Sequence, residues 1–172
     1  SYAVSAVVTD NLDGTLKVTW KSGTGNIQFR NTYTVDSTNV TPSVEKKISG
    51  KQPAKDSAFH FIITGTDNAP MPEGSKNGKK SVSITGEGKA DFGKITFSQA
   101  GTYTYKVTEK IGSESSYDYD ATEYALTYKV KDVDGKLKAE KSITAGGKSA
   151  DRMVFTNKYA PASLDGDTAL TG

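Results

Sequence analysis

Three chemically reactive side chains fall where strand alternation demands apolar ones. In Ser43-Val44-Glu45-Lys46-Lys47-Ile48, Lys46 shares a face with Val44 and Ile48. In Thr102 to Glu109, Glu109 continues the face of Tyr103, Tyr105 and Val107. In Met153 to Tyr159, Asn157 sits between Phe155 and Tyr159. Side chains of a strand alternate sides with period two, so all three groups point inward. A lone buried lysine or glutamate is costly unless it is paired or its charge is suppressed. An amine, a carboxyl and a carboxamide that converge in a core have a chemical use, the formation of an amide crosslink.

The elements that must position these groups read as short strands separated by turn clusters, spaced as in a β-sandwich. The expected strands are Ala3–Thr9, Leu16–Trp20, Ile27–Tyr33, Ser43–Ile48, Phe59–Thr64, Ser81–Thr85, Lys94–Phe97, Gly101–Glu109, Tyr124–Val130, Leu137–Ile143 and Arg152–Tyr159. Turn signals lie between them at Asp13-Gly14, Asp67-Asn68, Gly86-Glu87-Gly88, Ala100-Gly101, Asp134-Gly135 and Gly146-Gly147. No stretch carries helical periodicity. The fold class is therefore all-β.

The chain also repeats itself. Tyr2-Ala3-Val4 resembles Tyr124-Ala125-Leu126, Asp13-Gly14-Thr15-Leu16-Lys17 resembles Asp134-Gly135-Lys136-Leu137-Lys138, and Phe29-Arg30-Asn31-Thr32-Tyr33 resembles Phe155-Thr156-Asn157-Lys158-Tyr159. Residues 1–35 read as the closing strands of a preceding, truncated repeat, 36–42 as a polar linker, 43–160 as one complete repeat and 161–172 as a small-residue tail. A few strands cannot bury a core alone, so residues 1–35 are expected to be incomplete, to pack on the full domain or to pair with another chain.

Composition narrows the function classes. With 22 basic and 20 acidic residues the net charge is +2, and the charges are interspersed, which gives no basic stripe for nucleic acid. No apolar run reaches membrane-spanning length, and the N-terminus lacks the pattern of an export signal, so a signal or wall anchor is expected to lie outside this fragment. The terminal Ala169-Leu170-Thr171-Gly172 is not a sorting signal. The 172 residues include no cysteine, which removes disulfides, thiolate metal sites and thiol nucleophiles.

Taken in order, Val44-Glu45-Lys46-Lys47-Ile48-Ser49-Gly50, Phe59-His60-Phe61, Gly101 to Glu109, Tyr124-Ala125-Leu126-Thr127, Asp134-Gly135-Lys136-Leu137 and Val154 to Tyr159 resemble the pilin isopeptide-linkage domain of Gram-positive surface proteins, as in streptococcal major pilins. Each segment is weak alone; their order and spacing together are specific. The resemblance implies an Ig-like (CnaB-like) β-sandwich. It implies a bond between a lysine on the first strand and an asparagine on the last, promoted by a glutamate on an internal strand; by position these are Lys46, Asn157 and Glu109. Alternation sends the competing amine, Lys47, to the opposite face. Burial lets such a pair exist as neutral amine and neutral acid, and only the neutral amine is nucleophilic. The acid is expected to hydrogen-bond the Asn157 carbonyl oxygen and to shuttle a proton to the departing ammonia. This is a single-turnover self-modification without cofactor or external substrate, not an enzyme activity.

The resemblance further implies an extracellular, wall-associated stalk module whose partners are neighbouring repeats or pilin subunits. The alternative is an adhesive module that binds a host protein or glycan through loops, for which Tyr117 and Tyr119 in the 112–121 loop are the candidate aromatics. Asn31 occupies the bonding position of the partial repeat, and its lysine and glutamate partners would lie before Ser1, so it is expected to be unreacted; the 27–33 strand could instead complement another molecule. His60 is expected to face solvent between Phe59 and Phe61. Asp10-Asn11-Leu12-Asp13-Gly14 and Asp132-Val133-Asp134-Gly135 read as Asp-Gly turns, not calcium loops, because they lack the downstream bidentate glutamate. No helix follows Gly86-Glu87-Gly88 to complete a phosphate cradle, and a lone outward histidine supports no catalytic triad.

Overall fold

In the computed structural model, residues 5–21 and 29–161 are described. The Tyr2-Ala3-Val4 element of the repeat, the Ile27 end of the third expected strand and the tail from residue 162 onward lie outside them. The chain divides into two compact units, Ser1–Thr34 and Val35–Gly172.

In the first unit, β1 (Ala6–Asp10) and β2 (Leu16–Trp20) form an antiparallel hairpin running from Ala6 opposite Trp20 to Asp10 opposite Leu16. Its turn is held by side chains: Asp10 Oδ1 accepts from the Leu12 N–H at 2.8 Å, and Asp13 Oδ1 accepts from the Thr15 N–H at 2.9 Å. These carboxylates thus serve backbone donors, the ordinary role of Asp in turns. Every described residue of this unit is exposed, and residues 29–33 form no strand, contrary to the sequence reading.

The second unit comprises β3 (Thr38–Val40), β4 (Ser43–Gly50), β5 (Ala58–Gly65), β6 (Lys79–Thr85), β7 (Gly88–Asp91), β8 (Ile95–Phe97), β9 (Gly101–Glu109), β10 (Tyr117–Asp118), β11 (Glu123–Val133), β12 (Lys136–Ala145), β13 (Lys148–Ala150) and β14 (Met153–Tyr159). A six-stranded sheet runs in the order β13-β12-β11-β9-β5-β6 and a four-stranded sheet in the order β10-β14-β4-β7, with β3 and β8 as a separate pair. This is an Ig-like β-sandwich. Alternating apolar residues of the two sheets meet between them: Phe155 of β14 packs on Phe61 of β5 at 5.2 Å and edge-on against Tyr124 of β11 at 5.1 Å between ring centroids. Phe61, Ile63, Tyr105, Val107, Leu126 and Phe155 are fully buried.

Turn chemistry sets the hairpins. Asp134 and Gly135, both at positive φ (54° and 79°), make the two-residue link of β11 to β12, the geometry that matches the twist of the flanking strands. Gly146-Gly147 does the same between β12 and β13.

Four strands escaped the sequence reading: β3, β7, β10 and β13, all of two to four residues. Too short to show alternation, they are defined by their partners. Two of them change boundaries. Thr38–Val40, expected in the linker, pairs with Ile95–Phe97, and Val35 packs against the core, so the ordered domain begins before residue 43. Gly88, expected in a turn, opens β7 and pairs with Lys46, which makes β4 an interior strand.

The other decisive pairing joins the first and last long strands. β14 runs parallel to β4, with Phe155 opposite Lys46 and Asn157 opposite Ile48; the remaining ladders of the unit are antiparallel.

Candidate functional site

Alternation along β4 buries Val44 and Lys46 and turns Lys47 to solvent. Along β14 it buries Met153, Phe155 and Asn157. Lys46 and Asn157 are thus inward-facing diagonal neighbours on adjacent strands of one sheet, within side-chain reach of each other. Glu109 enters from the opposite sheet, as the last residue of β9, where it faces Phe61 of β5. Lys46, Glu109 and Asn157 are 1%, 5% and 0% exposed.

One carboxylate touches both partners. Lys46 Nζ donates to Glu109 Oε2 at 2.8 Å, and Asn157 Nδ2 donates to Glu109 Oε1 at 2.7 Å. The Lys46 ammonium also lies 4.5 Å from the centre of the Phe59 ring. Burial pulls the Lys46 amine below its ordinary value, against the opposing influence of Glu109 and, more weakly, Asp120. The structure therefore brings together the amine, the carboxyl and the carboxamide singled out from the sequence.

The sequence reading missed the fourth group. Asn157 Oδ1 accepts a hydrogen bond from the main-chain N–H of Asp120 at 2.8 Å. A main-chain N–H can only donate, so this contact identifies the carboxamide oxygen and turns the nitrogen towards Glu109. In place of the expected bond from Glu109 to the Asn157 oxygen, Asn157 Nδ2 donates to Glu109 Oε1. The Asp120 carboxylate is itself engaged: Oδ1 accepts from the Thr122 N–H at 2.9 Å and Oδ2 from the Thr156 N–H at 2.8 Å. Burial works to raise the Asp120 carboxyl, but the hydrogen bonds from Thr122 and Thr156 prevail and hold it below its usual range. The Asp120-Ala121-Thr122 spacing carried an available signal, an aspartate poised to cap the N–H two residues on.

Aromatic residues close the site. Tyr117 packs edge-on against Phe59 at 5.3 Å and on Tyr159 at 4.9 Å, with Tyr119 5.9 Å away. Tyr117 is buried and Tyr119 half-buried, so the pair considered as an exposed adhesive cluster instead forms part of the packing around Phe59. His60 and Asn31 are exposed. Among the described residues no group of three or more His, Cys, Asp or Glu could hold a metal ion, and no helix is long and apolar enough to cross a membrane.

A family model described as FctA, Spy0128-like isopeptide containing domain, matches residues 42–160. Among solved structures, the chain is similar to the major pilin protein (T-13) from Streptococcus pyogenes, at 18% identity and a TM-score of 0.51, covering 73% of this chain and 54% of that one. It is also similar to the major pilin from Streptococcus pyogenes, at 21% identity and a TM-score of 0.49, covering 73% and 51%. The chain spans about half the length of these pilins. No curated protein sequence matches it.

Proposed function

The chain belongs to the family of Spy0128-like isopeptide containing domains, and on that premise we propose that it is a shaft module of a Gram-positive surface pilus or adhesin, braced by a self-formed amide bond between Lys46 and Asn157 with Glu109 as promoter. The observation that carries this reading is the bridging carboxylate, which contacts the attacking amine through one oxygen and the leaving nitrogen through the other.

The reaction balances within the triad. A proton moves from the Lys46 ammonium to Glu109 Oε2, leaving neutral amine and neutral acid, a transfer favoured by the burial that lowers the Lys46 affinity for protons. Lys46 Nζ attacks the Asn157 side-chain carbon, and charge develops on Oδ1. The Glu109 acid protonates Nδ2, the carbon–nitrogen bond breaks and ammonia leaves. Glu109 regains a proton from the new amide nitrogen. Holding the groups in contact replaces a bimolecular encounter, worth a large effective molarity. The event happens once per chain, so the protein is its own substrate and does not turn over.

Position gives the bond its use. Lys46 and Asn157 enclose a loop of about 110 residues, and by analogy with disulfides the constraint on the unfolded chain contributes about 4.7 kcal/mol. Because β4 and β14 are parallel neighbours, tension entering β4 at its start and leaving after β14 loads that ladder in shear. A covalent link at this place carries the load and shields the strands between. Such a module suits a fibre displayed on the cell surface, with neighbouring repeats or subunits as its partners. Tyr117 is buried and Tyr119 half-buried, which leaves the adhesive alternative without the exposed aromatic pair that would have favoured it.

Intact-mass measurement tests the reading: the protein should be lighter than its sequence by one ammonia, and a digest should yield a branched peptide joining Lys46 to Asn157. A mass equal to that of the unmodified chain would sink it.

A further inference from the structure

The geometry points to Asp120 as a further residue of the crosslinking step: its main-chain N–H is the donor that receives the developing charge on Asn157 Oδ1 and aims Nδ2 at Glu109, and its side chain clamps that N–H in place. This rests on the crosslinking reading above and names a part that reading does not need.

Four distances support it. The Asp120 N–H reaches Oδ1 at 2.8 Å, and the opposite end of the same carboxamide donates to Glu109 Oε1 at 2.7 Å. A carboxamide rotated by half a turn would set its NH2 against the Asp120 N–H, donor against donor, and its oxygen against the Glu109 carboxylate. Both contacts would be lost together, so the Asp120 N–H selects the orientation in which the leaving nitrogen faces its proton source. The same N–H lies where an anion-stabilising donor is needed as the carbonyl becomes tetrahedral. The clamp comes from the Asp120 carboxylate, which ties the segment to its own turn through Thr122 N–H at 2.9 Å and to β14 through Thr156 N–H at 2.8 Å. Thr156 immediately precedes Asn157, so one side chain fixes the spacing between the donor and the strand that carries its acceptor.

The carboxylate has a second effect. Among the described residues the charged groups that act on Lys46 are Glu109, from β9, and Asp120, from the segment after β10; both favour the protonated amine. Removing the charge at 120 therefore makes the amine easier to deprotonate, whereas removing the clamp makes the attack slower. The two effects are separable by pH.

The test follows ammonia loss by intact mass after unreacted chain, isolated from denatured inclusion bodies, is diluted into folding buffer, with near-ultraviolet circular dichroism recording folding in parallel. Asp120→Ala should fold at an unchanged rate and crosslink roughly ten- to a hundredfold more slowly, the scale of a small misplacement of a reacting group. Asp120→Asn, which keeps the shape and one acceptor oxygen, should crosslink faster than Asp120→Ala. Its rate should reach half-maximum at lower pH than the parent's, a displacement that a merely structural residue would not produce. Crosslinking of both variants at the parent rate with an unmoved pH midpoint overturns the assignment. If Asp120→Ala does not fold, Asp120→Asn decides by its rate on the high-pH plateau: crosslinking there as fast as the parent overturns the assignment. Absence of ammonia loss from the parent chain would be a different failure, that of the crosslink itself.

Discussion

Asn157 stands opposite Ile48 in the parallel β14–β4 ladder, two residues along β4 from Lys46, so the closing strand of the domain delivers its carboxamide diagonally onto the amine of the opening strand. The pair needs no loop to bring it together. Two strands of one sheet hold it, and Glu109 reaches it across the core from the other.

The two lysines of Lys46-Lys47 make an internal control. Lys46→Ala should yield a chain of full unmodified mass, while Lys47→Ala, at a solvent-facing position, should still lose one ammonia. Loss of ammonia from the Lys46 variant would reassign the nucleophile.

Asn157→Ala should retain the Lys46–Glu109 pair but lose the closed loop. The loop term of about 4.7 kcal/mol corresponds to a fall in Tm of roughly 10–25 °C for a domain of this size, read by calorimetry. Trypsin should cut the variant faster. Glu109→Ala should fall at least as far, because it leaves the Lys46 amine buried without its partner. A variant as resistant as the parent would mean that the bond does not brace the domain.

The unlinked amine sets a pH signature. The folded Lys46 amine binds its proton less readily than the ordinary value of 10.5, so the unfolded chain holds more protons as that value is approached. Stability of Asn157→Ala therefore gains from Lys46 as pH rises towards 10.5. An amide at that position does not titrate, so the parent lacks this gain. The Tm gap between the two should narrow from pH 7 to pH 10; a constant gap would count against a free buried amine in the variant.

Alkali should act in the opposite direction through tyrosines. Burial pushes Tyr105 well above the ordinary 10.0 and Tyr128 up to about 12. Their folded values are raised, so the stability they contribute is complete below pH 10 and is lost as pH climbs towards those values. A spectrophotometric titration should show these two ionising only late or with unfolding. A set of tyrosines that all ionise near pH 10 in the folded protein would refute it.

Gly50 ends β4 at φ +86°, and a Cβ there would lie 2.5 Å from the carbonyl oxygen of Tyr159. Gly50→Ala should cost about 1–3 kcal/mol by denaturant titration, since neither the strained backbone nor that oxygen can easily give way. Gly14→Ala, with a similar φ of +85° but open space around it, should cost the backbone strain alone. Equal costs at the two positions would remove the close approach as a cause.

Alternation by itself disclosed which faces Lys46, Glu109 and Asn157 occupy, because the period of a strand is a local property of three consecutive residues. Asp-Gly at 134–135 likewise declared its hairpin, since positive φ is a demand on single residues. Pairing is not local, and there the tertiary structure decided. Nothing in residues 43–50 or 153–159 says that these strands lie side by side and parallel, that β7 covers the other edge of β4, or that Thr38–Val40 finds Ile95–Phe97. Tyr117 looked like a loop residue until Phe59 and Tyr159 buried it. The Asp120 N–H was invisible for the same reason: every residue except proline carries a backbone donor, and only the packed chain shows which one meets the carboxamide.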